Sequence, residues 1–280
     1  MGNAKLGVRI WGAAGSYPRM GPEQLRFGGN TTSLEILHDG ETPVFVDAGT
    51  GIANAGQNLL ESNPEARNIH IFFTHYHWDH TAGLPFFVPI YQPRYQICLH
   101  GPGADSNDLQ DMLDLSVSAE FSPISGIGNL ESSLEIRPEN IRLDDLEIEI
   151  LDFEGAHPGG ILCYKFRQRS RCFVFATDVE VQKARDAQVL TDFCRGADFI
   201  ILDTHYTSEE YKKKKGWGHS TYDDALKVTL NAGVRRLVFF HMAPHRSDEE
   251  HLRLLSRYQH KYPDISLMIP EEGGTVYCVE

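Results

Sequence analysis

The chain lacks any run of 18 or more apolar residues in its 280 positions, which excludes a membrane-spanning helix of ordinary length. Its first residues, Met1-Gly2-Asn3-Ala4-Lys5-Leu6, form no apolar h-region and place Leu6 where a myristoylation signal needs Ser or Thr. A soluble, cytoplasmic protein without membrane contact is expected. Cysteine is sparse. Cys98, Cys163, Cys172, Cys194 and Cys278 are odd in number, widely separated and never spaced Cys-x-x-Cys, which suits reduced, mostly buried thiols rather than a disulfide framework. Positive charge is also in short supply, with 26 Lys and Arg against 39 Asp and Glu for a net charge of −13. That balance argues against a long nucleic acid as partner, because such binding relies on many Lys and Arg neutralising phosphates. The one basic run, Lys212 to Lys215, is short.

What is present suffices for a large core: at 41% hydrophobic over 280 residues, a single domain covering 1–280 is expected. Thirteen short apolar or alternating segments, from Lys5–Trp11 to Thr275–Val279, read as strands. Helices are predicted over Ile52–Glu61, Leu109–Ser116, Gln188–Cys194, Thr221–Asn231 and Asp248–Tyr262. Ser220 with Asp223, and Ser247 with Glu250, are spaced as N-caps with their reciprocal acids, while Gly233 and Pro263 supply stops. Many strands interleaved with helices predict an α/β fold of two sheets covered by helices, a four-layer αββα sandwich.

The densest concentration of metal-binding groups is His75-Tyr76-His77-Trp78-Asp79-His80. With 13 histidines in 280 residues, three at such fixed offsets are expected by chance only about 0.03 times. The motif follows Asn68-Ile-His-Ile-Phe-Phe-Thr74, a strand-like run, and loops at strand ends are where sheet proteins carry chemistry. Three imidazoles and a carboxylate on one tight loop can face two metal ions. His157, Asp178 and His241 also sit at or near the ends of strand-like runs, as does Asp47 before Ala48-Gly49. Each of these alone is as well explained by an ordinary structural polar residue.

Their order along the chain resembles the metallo-β-lactamase superfamily, and within it the branch of ribonuclease Z and small phosphodiesterases. The likeness spans most of the chain and includes Gly12-Ala-Ala-Gly-Ser-Tyr-Pro18, Gly29-Asn-Thr-Thr-Ser33 and Gly218-His-Ser-Thr221. It implies the metallo-β-lactamase form of the αββα sandwich and two divalent metal ions, Zn²⁺ foremost, with Mn²⁺ or Fe²⁺ also compatible with imidazole and carboxylate donors. By the same resemblance His75, His77 and His157 hold one ion, Asp79, His80 and His241 the other, and Asp178 bridges them. Asp47 orients a ligand from behind, and Asp79 serves catalysis as well as ligation.

Such a centre implies attack of a metal-activated water on phosphorus. His219 and His205 are the candidates to protonate the leaving oxygen and contact phosphate. Here the chain departs from its relatives: Leu202-Asp203-Thr204-His205 stands where ribonuclease Z has His-Glu-Ala-Thr, so the imidazole is displaced by three positions. The basic Gly/Pro-rich arm with which ribonuclease Z grips tRNA has no counterpart insertion. The expected substrate is therefore a small anionic phosphodiester, foremost a 3′,5′-cyclic nucleotide opened to the 5′-monophosphate. Two cations would favour such an anion whatever the net charge. A lactone or thioester hydrolase, a ribonuclease Z-type RNA endonuclease and, last, a non-catalytic nucleotide sensor are the alternatives. Relatives also commonly pair as homodimers.

Overall fold

The thirteen predicted strands and one further strand pair into two seven-stranded sheets in a computed structural model, which describes residues 5–103, 110–111, 114–115, 118, 126, 133–136, 141–181 and 184–278. The first sheet holds β1 (Gly7–Gly12), β2 (Ser33–Leu37), β3 (Val44–Val46), β4 (Asn68–Phe72), β5 (Gln96–His100) and β6 (Ser133–Ile136), with β14 (Thr275–Tyr277) on the outer edge of β1. The second holds β7 (Ile141–Leu143), β8 (Leu146–Asp152), β9 (Leu162–Gln168), β10 (Arg171–Ala176), β11 (Phe199–Asp203), β12 (Arg236–Phe240) and β13 (Ser266–Met268). Each sheet begins antiparallel and becomes parallel, at β3 to β6 in the first and at β10 to β13 in the second. Parallel strands covered on both faces are largely apolar, as Phe199, Ile200, Ile201 and Leu202 of the fully buried β11 show.

Val8, Ile10, Leu34 and Val46 of the first sheet share one core with Tyr164, Phe166, Phe173 and Phe175 of the second. The helices are α1 (Ile52–Ser62), α2 (Trp78–Thr81), α3 (Ala184–Cys194), α4 (Ser208–Tyr211), α5 (Tyr222–Asn231) and α6 (Asp248–Lys261). Ile52, Ala55 and Leu59 of α1 pack on the outer face of the first sheet, in a separate cluster with Phe45, Ile69 and Ile97. Leu190, Leu226 and Tyr258, from α3, α5 and α6, cover the second sheet. The result is the αββα order expected. The parallel strands of both sheets deliver their C-terminal ends to one seam, the place where open α/β sheets bind ligands.

Three local expectations are corrected. The N-cap of α5 is Thr221, paired with Asp224, because the Ser220 hydroxyl is taken up by the Val179 carbonyl. The strand Ile141–Leu143 is not among those predicted, its two apolar residues flanking Arg142 being all the pattern it offers; it pairs with β8 across a turn in which Asp144 is left-handed. The helices α2 and α4, four residues each, are too short for a periodic signal. Of the helix predicted over Leu109–Ser116, half lies outside the described residues, and the described positions 110–111 and 114–115 are helical. Cys98, Cys163, Cys172 and Cys194 are buried and lie outside any disulfide, as expected.

On the inner face of α6, His251 is fully buried edge-on to Phe27, and neither ring nitrogen has a hydrogen-bond partner among the described residues. Burial, reinforced by the charges of Arg246 and Arg19, pushes its pKa down to about 3. An unfolded chain takes up this proton near pH 6.5, whereas the folded one refuses it until about pH 3. Stability is therefore full above the unfolded pKa and falls as the pH drops below it. We expect His251→Phe to flatten this part of the curve, the parent losing about 1 kcal/mol more per pH unit between roughly pH 6 and 4. Urea denaturation at several pH values checks this, and parallel curves for the two proteins would refute it.

Candidate metal centre

The histidine motif leaves β4 through Phe73 and Thr74 and enters α2, whose N-cap is His77. The Phe73 N–H donates to the His100 carbonyl, 2.6 Å away, which extends the β4 to β5 pairing to the edge of the motif. Asp47 follows β3, Asp178 follows β10, Asp203 ends β11 and His241 follows β12, so the parallel strands of both sheets supply donors to the seam. His157 comes from the turn between β8 and β9. Backbone strain marks the same places. Ser16, Asp47, Asp178 and His241 have φ of 67°, 58°, 53° and 56°, a left-handed conformation costly for residues with a Cβ and kept where the surroundings enforce it. Close approach is equally demanding. A Cβ on Gly15 would stand 2.6 Å from the His241 ring, and one on Gly218 2.0 Å from His157 Nδ1.

Every residue predicted for the site is brought to this seam. His75, His77 and His157 form one group of donors lying within 4.8 Å of one another, and Asp79, His80, Asp178 and His241 form a second. His77 Nδ1 lies 3.0 Å from His157 Nε2. Asp178 faces both ways: Oδ1 is 3.3 Å from His241 Nε2, and Oδ2 is 3.3 Å from His80 Nε2. Asp79 Oδ2 is 3.0 Å from His241 Nε2 and accepts the Ser16 N–H at 2.7 Å. Asp47 stands behind them. Its Oδ1 accepts the Thr74 N–H at 2.8 Å, and its Oδ2 is 2.8 Å from His80 Nδ1, so His80 Nε2 is turned toward the other donors.

A third group joins His205, His219 and His241. The rings of His205 and His219 stack with centroids 4.6 Å apart, yet their surroundings differ. His205 Nδ1 meets the His241 carbonyl at 3.0 Å, whereas His219 Nδ1 meets Asp203 Oδ2 at 2.8 Å. Burial holds His205 well below the usual imidazole range. Burial also opposes protonation of His219, but the Asp203 carboxylate outweighs it and raises the pKa to about 9. Near neutral pH one stacked ring is neutral and the other protonated.

The remaining imidazoles divide in the same way. Burial lowers the pKa of His75, His77 and His157, leaving them neutral, the form that binds a cation. Burial opposes protonation of His80 too, but Asp79, Asp178 and Asp47 together raise its pKa. Two observations fit a metal to this donor set. The buried Nε2 atoms of His75 and His80 have no well-aligned hydrogen-bond partner, an expensive state for a polar atom unless a further group satisfies it. Their Nδ1 atoms, by contrast, are engaged, by Thr74 Oγ1 at 3.0 Å and by Asp47, which fixes which nitrogen faces the cluster.

A profile of the β-lactamase superfamily domain matches residues 42–242, the span from just before β3 to just beyond β12. The chain belongs to the metallo-β-lactamase superfamily. As a member of this superfamily it is a metal-dependent hydrolase. Ribonuclease Z of Pyrococcus horikoshii is 24% identical over 269 residues, covering 79% of this chain and 83% of that protein. The metallo-β-lactamase fold protein YhfI of Bacillus subtilis superposes with a TM-score of 0.69 at 15% identity, over 98% of this chain and 99% of that one. The short form of human tRNase Z gives a TM-score of 0.66 at 16% identity, over 98% and 100%.

Two further residues of this site had no mark in the sequence. Asp203 reads as the last residue of a buried strand, and its partner His219 lies 16 positions away. Glu180 reads as an ordinary loop acid. It ties three loops together: its N–H donates to the Ala156 carbonyl at 2.8 Å, and its carboxylate accepts the Gly216 and Gly218 N–H groups at 2.8 and 2.9 Å and the Tyr211 hydroxyl. His245 pairs with Glu210 at 3.1 Å on the exposed side.

Because Asp47 orients His80, Asp47→Asn is expected to weaken metal retention about 10–100-fold. Titration of metal-loaded protein with a chelator measures this, and an unchanged midpoint would separate Asp47 from metal binding.

Proposed function

We propose that the protein hydrolyses a small phosphodiester at a centre of two divalent metal ions. In this reading His75, His77 and His157 hold one ion, Asp79, His80 and His241 hold the other, and Asp178 reaches both. The relative named ribonuclease Z supports phosphodiester chemistry. Metal ions bound there would supply Lewis acidity toward phosphoryl oxygens and bring the pKa of a water toward neutrality.

The observation that carries the reading is the Asp203–His219 pair beside these donors. An alkoxide leaving phosphorus needs a proton. His219 holds one, with Nδ1 committed to Asp203 and its side chain 11% exposed, so Nε2–H is the bond available to the leaving oxygen. Asp203 keeps the ring in that tautomer and orientation. His205 plays a different part: with Nδ1–H spent on the His241 carbonyl, its neutral Nε2 can only accept a hydrogen bond. Of the two histidines proposed for proton transfer, His219 is the donor and His205 the orienting group. A hydrolase acting on a lactone has less need of this second stacked pair.

Among small phosphodiesters, a 3′,5′-cyclic nucleotide opened to its 5′-monophosphate fits a compact cluster on a chain poor in positive charge. Zn²⁺ is the foremost metal, because the set is rich in imidazole. A second reading, a ribonuclease Z-type RNA endonuclease, is favoured by the name of the relative from Pyrococcus horikoshii.

Chromatography of products from cyclic nucleotides, a short RNA with a 3′ extension and a lactone distinguishes these readings. Release of a 5′-monophosphate from a cyclic nucleotide is expected. Turnover of the lactone alone would overturn the phosphodiester assignment. His75→Ala and Asp178→Ala should lose both metal and turnover, whereas His219→Ala should keep its metal and lose about 10²–10⁴-fold in kcat, as removal of a general acid does. Metal content by atomic absorption beside kcat checks both, and full activity in His219→Ala would remove it from the mechanism.

A further inference from the structure

Two of the three tryptophans stand exposed next to donors of the site: Trp78, between His77 and Asp79, is 79% exposed, and Trp217, before Gly218 and His219, is 56% exposed. His77 Nδ1 lies 3.0 Å from His157 Nε2, and His157 Nδ1 lies 2.9 Å from the Gly218 carbonyl. Two polar contacts thus link the residues that adjoin the two indoles. Neither sits on a loose segment. Trp78 is the first residue of α2, and the turn before Trp217 is held by the Glu180 carboxylate through Gly216 and Gly218 at 2.8 and 2.9 Å.

The Lys214 ammonium lies 3.6 Å from the centre of the Trp217 ring, a cation–π contact that fixes the indole from one side. The same turn carries Lys213 and Lys215, both exposed and without an ion pair among the described residues, on a chain whose net charge is −13. An anion joined to a flat π-system matches both features. Apolar rings left in water beside a polar site gain by covering their faces, and aromatic bases stack on such rings whatever their sequence.

We propose that Trp78 and Trp217 form a nucleobase subsite on the rim of the metal centre, where the base of a nucleotide substrate stacks. The proposal rests on the phosphodiester reading for the placement of the phosphate, and it adds the residues that read the remainder of the substrate.

The test compares adenosine 5′-monophosphate with ribose 5-phosphate on metal-loaded protein, by calorimetry and by quenching of tryptophan fluorescence. The two ligands carry the same phosphate and differ by the base. Adenosine 5′-monophosphate should bind at least about tenfold more tightly and quench the fluorescence, and Trp78→Ala and Trp217→Ala should each reduce the preference by about tenfold. Trp78→Phe and Trp217→Phe, which keep an aromatic face and the packing, should retain most of it. Equal affinity for the two ligands, or an undiminished preference in both Ala variants, would overturn the subsite. Hydrolysis of bis(p-nitrophenyl) phosphate by the parent protein tests the phosphodiester reading separately. Base preference without that hydrolysis supports the subsite and faults the reading beneath it, whereas hydrolysis without base preference faults the subsite alone.

Discussion

Burying ionised groups is among the most expensive acts in folding, and this protein places Asp47, Asp178 and Asp203 together at 1% exposure or less. Only opposite charge arranged at close range can sustain that. Two of the histidines around them supply it, His80 against Asp47 and Asp178 and His219 against Asp203. The left-handed residues and the glycines with no room for a Cβ follow from the same demand, since side chains must converge from strands of two different sheets. Local conformational strain is offset by the electrostatic gain of convergence.

Within the cluster, identical side chains acquire different chemistry from their neighbours. His205 and His219 stack face to face, but one faces a carbonyl and the other a carboxylate, which sets their charges apart. Proton transfer and ligation can then proceed side by side without competing for the same rings. Glu180 performs the mechanical counterpart, joining the loops that carry His157, Asp178 and His219.

Much of this was legible in the chain because short-range patterns carry it. The strands were visible in their apolar runs, and the motif from His75 to His80 was visible because its donors are contiguous and follow a strand. His157, Asp178 and His241 are single residues whose convergence no local pattern encodes, and only their order beside the motif marked them. Asp203 was hidden because it continues an apolar strand and acts on a residue 16 positions away. The start of α5 was ambiguous for a physical reason. Ser220 and Thr221 each have an Asp three residues on, and the choice depends on the Val179 carbonyl, which captures the Ser220 hydroxyl and belongs to a different loop.

The donors are shared between the halves of the sandwich: Asp47 and His75 to His80 come from the first sheet, Asp178, Asp203 and His241 from the second. A cation gripping both sets would act as a further cross-link between layers that share an apolar core and a few hydrogen bonds. Its binding free energy then adds to the cohesion of the whole fold. Resistance to proteolysis would follow metal supply, and the abundance of the protein would become a measure of how much metal its surroundings provide.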